Sequence, residues 1–433
     1  MRNVFERSAN RNNGNNVANC NASGNVGNNN ANNGNFAAPD CYDGSFWIDG
    51  SHSGITPEQP NKEFTPSGKC REQCGNGGTF ATCGGNVNPI PIIEDAIGYD
   101  ALLEAAEKCM HGVLWKGRTA YLYMHMLEDI SRLCDELHAG SYRMGACVEF
   151  SITSPKYRVI SSMQLRDRIV QRSLNDNVIY PLMSRSWIYD NYACQNGKGT
   201  DFGRNRMMCH LERFTRKHGL NGYVLTCDIS GYYAHMLHDE VHRRFDEKLP
   251  SWAAEFARNA LEKQYPGEVG FRPGSQMVQI AGIDYLDGLD HFIKERLRIK
   301  QYGRYMDDFI LIHESQDYLN ECKRKIDIEL SRVGLSLHAE KTTIKPIQRP
   351  FGFLGFTYHA TDTGVYMLVK SEKVKEQRRR LRRLARLVNT GRIDAADYLA
   401  ALQCMASHDA KGASKILPEK IYSYGIDLIG GQK

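Results

Sequence analysis

Three aspartates set the chemistry this chain could do. Asp307 and Asp308 are adjacent in the stretch Gln301-Tyr302-Gly303-Arg304-Tyr305-Met306-Asp307-Asp308-Phe309-Ile310-Leu311-Ile312. It reads as strand, tight turn, strand, because aromatic and β-branched residues flank the polar pair and no proline interrupts them. Two carboxylates at a hairpin tip repel each other unless a cation sits between them. Hard divalent cations such as Mg2+ take oxygen ligands and keep positions free for substrate phosphates. Asp228 ends another strand, Tyr223-Val224-Leu225-Thr226-Cys227-Asp228, some eighty positions earlier. If the two strands are neighbours, three carboxylates converge. That arrangement holds two metal ions roughly 4 Å apart, which clamp the attacking and leaving oxygens of an in-line phosphoryl transfer. Asp228 and Asp307 would bridge the ions and Asp308 would be auxiliary. Tyr-Met-Asp-Asp alone is equally an Asp-rich turn, so the order of the surrounding motifs has to decide.

Nucleotidyl transfer also needs cations on phosphates that metals do not reach. Lys156 and Arg158, on a strand ahead of the aspartates, are candidates, and Lys341 could protonate or pair with a leaving pyrophosphate. The bland alternative for each is an exposed basic residue. Tyr233, five residues after Asp228, could pack under a sugar and exclude a ribose 2′-hydroxyl, or it could be a core tyrosine.

The elements that must position these groups follow from periodicity. Residues 97–110 and 119–138 read as amphipathic helices, the second with a core stripe of Tyr121, Met124, Leu127, Ile130 and Leu133. Val148 to Ile160 reads as two short strands around Ser154-Pro155, followed by a helix from Asp167 to about Met183 and a flexible basic loop at Gly197-Lys198-Gly199-Thr200. Beyond Asp228 come a helix over 239–248, the loop Gly270 to Gln276 opening a long helix to about 297, the Asp-Asp hairpin, and a helix over 316–333. A strand near 335–338 precedes Glu340-Lys341-Thr342, a further strand and the hairpin arm Phe351 to Phe356. The order β-α-α-β-β-α-β predicts an antiparallel sheet with helices on one face. A last basic helix carries eight Lys/Arg and one acid from Lys373 to Arg386, with an apolar stripe of Val374, Leu381, Leu384 and Val388.

The set Lys156-Tyr157-Arg158, Cys227-Asp228 with Tyr233, Pro273-Gly274-Ser275-Gln276-Met277-Val278-Gln279, Tyr305-Met306-Asp307-Asp308, Glu340-Lys341-Thr342 and Phe353-Leu354-Gly355-Phe356 resembles the ordered motifs of reverse transcriptases, over about residues 110–390. The resemblance implies an α+β right-hand polymerase fold and RNA-templated DNA synthesis with dNTPs and two Mg2+ ions, Mn2+ being a possible substitute. It divides the chain into a low-complexity segment over 1–91, fingers with part of the palm over 92–222, palm over 223–362, and a helical basic thumb and tail over 363–433. Metal ligands would be Asp228, Ile229, Asp307 and Asp308, with Lys341 also catalytic. Lys156, Arg158, Tyr233, Gly274 and Gln279 would bind substrate, Phe353, Leu354, Gly355 and Phe356 would form the primer grip, and Lys373, Lys375, Arg379, Arg382 and Arg383 would track nucleic-acid phosphates. Implied partners are template RNA, a DNA primer or cDNA, and a small basic accessory protein.

Within that family the chain is most similar to the enzymes of diversity-generating retroelements. These end the Gly274 motif in Ser-Gln where group II intron enzymes have Ser-Pro. Gln279 agrees, while Val278 stands for the Ser and Pro273 for an aliphatic residue, which leaves adenine-specific mutagenesis open. A second signal lies in residues 3–35, where 15 positions are Asn. Asn codons begin with two adenines, so a repeat that is mutated only at adenine translates as runs of Asn among small residues. The alternative is a polar linker, and in either case this composition builds no core. A group II-like or antiphage enzyme without mutagenic role, and a non-catalytic nucleic-acid binder, are the competing readings.

The chain has 433 residues and a formal net charge of +5, so the local basicity of the last helix points to a polyanionic partner. No apolar run is long enough for a membrane span and no secretory h-region is visible, which with 13 mostly scattered cysteines predicts a cytoplasmic, reducing setting, and the family resemblance implies a bacterial or phage-encoded protein. Cys41, Cys70, Cys74 and Cys83 cluster in Gly-rich sequence and could hold Zn2+, although their spacing matches no standard finger.

Overall fold

The computed structural model describes residues 91–153 and 157–430, all within the unit that begins at Cys41. The Asn-rich tract, the four-cysteine cluster and Lys156 lie outside the described residues.

A four-stranded antiparallel sheet organises the site. Its strands are β3 (Tyr223–Cys227), β4 (Gln301–Tyr305), β5 (Asp308–His313) and β6 (Thr343–Pro346), in the order β4-β5-β3-β6. Ahead of it, β1 (Val148–Ile152) and β2 (Arg158–Ser162) form a separate hairpin. After it, β7 (Phe351–Phe353), β8 (Phe356–Thr361) and β9 (Gly364–Val369) form a second, three-stranded sheet. The expected strand at 335–338 is reduced to one bridge between Ile229 and Leu337.

The central sheet is covered on both faces, not one. Leu225, Cys227, Phe309 and Leu311 join a large core with the helices 238–248, 251–264 and 276–285. Val224, Ile310 and Ile312 point the other way, against Met207, Leu211 and Phe214 of the Thr200–His218 helix and the aromatic faces of β7 and β8. Successive strand residues face opposite sides. The unbroken apolar run Phe309-Ile310-Leu311-Ile312 is therefore what two-sided burial requires.

The expected helix over 119–138 is two helices, Gly117–Met124 and Met126–His138, broken at His125. Its stripe is core only in its second half. Ile130 and Leu133 are buried, whereas Tyr121, Met124 and Leu127 are 65%, 80% and 61% exposed. With the break the first helix turns Leu122 to the core and leaves Tyr121 and Met124 in solvent, and Leu127 is exposed in the first turn of the second helix. The C-terminal helices Ser371–Asn389, Ala395–Asp409 and Ile416–Gly430 form a bundle around Leu381, Tyr398, Leu402 and Ile421. Val374, Leu384 and Val388 flank that core as expected, and Gln377 joins them by donating to Asp409 Oδ1 at 2.9 Å. Among the described residues no helix is long and apolar enough to cross a membrane.

Candidate active site

Strand pairing brings the three aspartates together. Cys227 of β3 is paired with Phe309 of β5, and Tyr305 of β4 with Asp308, so the β4–β5 turn is Met306-Asp307. Continuing the β3–β5 register by one residue places Asp228 opposite Asp308. Met306 takes a left-handed φ of 55°, uncommon for a side chain of that size, and this directs Asp307 back over the sheet end.

Asp308 carries the electrostatic signature of this crowding. Its carboxyl is pushed up to about 7 by removal from water, by the charges of Asp307 and Asp228, and by a hydrogen bond shared with Asp228. Its side chain is nonetheless exposed, so the neighbouring charges matter more here than burial. Asp307 is raised for the same reasons, burial first and then Asp228, against the opposing pull of Lys341 and Arg158. Lys341 Nζ donates to Asp228 Oδ2 at 2.6 Å, and this bond holds the lysine in its charged form. As the side chains stand, no three His, Cys, Asp or Glu among the described residues are arranged around one metal position. Asp228 is instead engaged by the Lys341 ammonium. Three clustered carboxylates, two of them with raised affinity for a proton and one tied to a cation, form a donor set that fits divalent cations. The Ile229 side chain is buried, which leaves only its backbone to face a cation.

The surrounding groups fall into place around the turn. Arg158, at the start of β2, is exposed and close enough to Asp307 to lower its pKa. Tyr233 sits on Gly282, where an added Cβ would lie 3.0 Å from its ring, and its hydroxyl reaches Met306 Sδ at 3.6 Å. Burial and the charges of Tyr232, Cys194 and Asp307 raise its pKa, so the ring is neutral beside the turn. Gly274 fastens the next loop to β2: Ser161 N donates to Pro273 O at 3.2 Å, φ at Gly274 is +136°, and a Cβ there would meet Ser161 O at 2.2 Å. Gln279 follows in the Gln276–Tyr285 helix, with a buried Oε1 that has no protein partner.

The β7–β8 turn, Leu354-Gly355, shares a cavity of about 230 Å³ with Phe353 and with one of the three aspartates, Asp308. The rings of Phe353 and Phe356 are buried in the core, so this turn offers backbone and Leu354 to a ligand. Lys373, Lys375, Arg379, Arg382 and Arg383 lie on the exposed side of the Ser371–Asn389 helix, opposite its buried stripe.

One supporting group went unread in the sequence. Arg304 is fully buried and makes a two-pronged pair with Asp290, Nε to Oδ1 at 2.7 Å and Nη2 to Oδ2 at 2.7 Å. Its Nη1 donates to Met306 O at 3.1 Å, so the guanidinium bolts the strained turn to the helix behind it. A charged residue inside an otherwise apolar strand was the available signal.

Residues 152–358 match the family described as reverse transcriptase (RNA-dependent DNA polymerase), and all three aspartates fall inside the match. Over this stretch the chain is similar to a reverse transcriptase domain, and the match indicates an RNA-directed DNA polymerase, a nucleotidyltransferase. The mixed helix-and-sheet fold agrees with the right-hand polymerase architecture of reverse transcriptase domains. Among curated proteins none matches the chain. Solved structures it is similar to include an apo telomerase from Candida tropicalis, truncated from its C-terminal domain, at a TM-score of 0.39 and 13% identity over 51% of this chain and 54% of that one. A telomerase from Candida albicans, in complex with a TWJ fragment of telomeric RNA, is similar at a TM-score of 0.41 and 10% identity over 72% of this chain and 65% of that one. The chain thus spans between about half and two thirds of the length of these structures.

Proposed function

We propose that the chain copies a template RNA into cDNA by two-metal nucleotidyl transfer, as the error-prone, adenine-mutagenic reverse transcriptase of a diversity-generating retroelement. The observation that carries the polymerase reading is the placement of Asp228 against Asp308, with Asp307 on the connecting turn, inside the stretch that matches the reverse transcriptase family.

Asp228, Asp307 and Asp308 would hold the metal ions, with the backbone at Ile229 completing the set. When bound, the two ions lower the pKa of the primer 3′-hydroxyl and offset charge on the triphosphate. The protein's own groups do the rest. Arg158 approaches Asp307 from β2 and meets the triphosphate on its outer side, with Lys156 assigned beside it. Lys341, which donates to Asp228, would serve the leaving pyrophosphate as a proton donor through its ammonium. Tyr233, neutral and packed against Met306 and Gly282, walls the sugar side of the site and excludes a 2′-hydroxyl. The Leu354-Gly355 turn supports the primer end, and the exposed cations of the Ser371–Asn389 helix follow the duplex backbone.

The mutagenic role is supported by Gln279 in the motif beside the site and by the Asn-rich tract. Incubating the full chain with a primed RNA, dNTPs and Mg2+ and sequencing the cDNA tests both levels. cDNA with errors confined to template adenines is expected. Faithful cDNA removes the mutagenic role and leaves a non-mutagenic reverse transcriptase. Absence of cDNA, with primed RNA still bound, makes the chain a binder.

A further inference from the structure

We propose that Lys370 binds a backbone phosphate of the primer strand close to its 3′ end, in the cavity it shares with Asp308. This rests on the polymerase reading above and adds a primer-binding residue to it.

A carboxylate and a cation line the same cavity. Asp308 and Cys227 line it from the central sheet, Phe353, Leu354 and Gly355 from the β7–β8 hairpin, and Lys370 from the segment that follows β9. Lys370 Nζ runs along the hairpin backbone, 3.1 Å from where a Cβ on Gly352 would sit. Among the described residues no carboxylate lies within ion-pair distance of it, although its charge helps lower the pKa of Glu372. Glu372, two positions on, accepts instead from Ser371 Oγ at 3.0 Å. The setting is also costly for a cation. Lys370 is the residue just before the 19-residue Ser371–Asn389 helix, whose macrodipole opposes positive charge at that end. An ammonium with no direct ion pair is free there to meet an anion, and the helix terminus favours one as well.

The ligand's chemistry follows from the two charges that line the cavity. On the polymerase reading, Asp308 serves a strand's terminal hydroxyl. The strand leading away from that hydroxyl carries a phosphodiester one nucleotide back. Lys370 lines the same cavity as Asp308 and would meet that phosphodiester there, alongside the hairpin backbone.

The test measures equilibrium binding of a primed RNA duplex by fluorescence anisotropy, and primer extension, for the full-length wild type, Lys370→Ala and Lys370→Arg. Lys370→Ala is expected to weaken duplex binding about tenfold, as loss of one charged contact does. The slope of log affinity against log salt should fall by about one, and the KM for dNTP should stay unchanged. Lys370→Arg should retain most of the affinity. A neutral methylphosphonate at the 3′-proximal phosphodiester should weaken wild-type binding and add nothing to Lys370→Ala. Unchanged affinity and salt slope in Lys370→Ala, or additive losses with the methylphosphonate, overturn the assignment. Binding is read without turnover, so an inactive wild type would count against the polymerase reading and still leave the Lys370 contact measured.

Discussion

Lys341 Nζ lies 2.6 Å from Asp228 Oδ2, an ion pair between two segments also joined by the β3–β6 pairing and by His338 N donating to Asp228 O. A lysine at the carboxylate expected to ligate metal competes with the metal for it. Lys341→Ala should therefore bind Mn2+ more tightly in the absence of nucleotide, since Asp228 is released. The same variant should lose about 10²- to 10⁴-fold in kcat if the ammonium is the proton donor to pyrophosphate. Mn2+ titration by paramagnetic relaxation and single-turnover extension read the two effects separately. Tighter metal binding with unchanged kcat would reduce Lys341 to a structural counter-ion.

The raised carboxyl of Asp308 makes stability depend on pH in a defined direction. It is held near 7 by removal from water, by the charges of Asp307 and Asp228, and by the hydrogen bond with Asp228, against an ordinary value of 3.8. The folded chain thus binds this proton more tightly than the unfolded chain. The contribution is complete below the ordinary value and is lost as the pH rises through about 7. Without metal, Tm should decline across that window, and Asp308→Asn should flatten the decline. Mg2+ should raise Tm strongly at about pH 8 and little at about pH 5, where protons hold the carboxylates. An equal Mg2+ effect at both pH values would contradict a carboxylate site.

Arg304 and Asp290 are both fully buried, so each depends on the other. Arg304→Leu should cost about 3–5 kcal/mol in urea unfolding by leaving Asp290 uncompensated. The double variant Arg304→Leu with Asp290→Leu should recover much of that. Activity should stay low in the double variant, because the donor to Met306 O that holds the turn is gone. Recovery of both stability and activity would show the turn to be self-sufficient.

Tyr233 closes against Met306 and Gly282 beside the turn. Tyr233→Ala should relax discrimination between dNTP and rNTP by about 10- to 200-fold, the range expected when one group's steric exclusion is removed. Tyr233→Phe should keep discrimination, since ring bulk and not the hydroxyl does the excluding. The ratio of kcat/KM for dGTP and GTP measures it.

The site was legible in the sequence where local geometry determines it. A tight turn inside an apolar hairpin fixes Asp307 and Asp308, and a strand end fixes Asp228. What escaped were helices whose buried faces lack a plain apolar stripe. In Thr200–His218 the core residues Met207, Leu211 and Phe214 alternate with Arg204 and His210, which are buried by pairing with Asp201 and Asp190. In Ser251–Gln264 the packed face is mostly alanine, at Ala253, Ala254, Ala257 and Ala260, too weakly apolar to stand out. Conversely Tyr121 and Met124 promised a core and face solvent, because periodicity cannot reveal a helix break at His125, while Leu127, beyond the break, is exposed in the first turn of the next helix. The pairing of Arg304 with Asp290 depends on tertiary contact between a strand and the helix before it, which no spacing encodes.

Single-nucleotide extension of a primed RNA by the full chain in Mg2+, with Asp228→Asn run alongside, bears most directly on whether the three aspartates form one metal site. The wild type should add a complementary dNTP, and Asp228→Asn should be slower by about a thousandfold or more while binding primed RNA equally well. Extension by Asp228→Asn at the wild-type rate would contradict it.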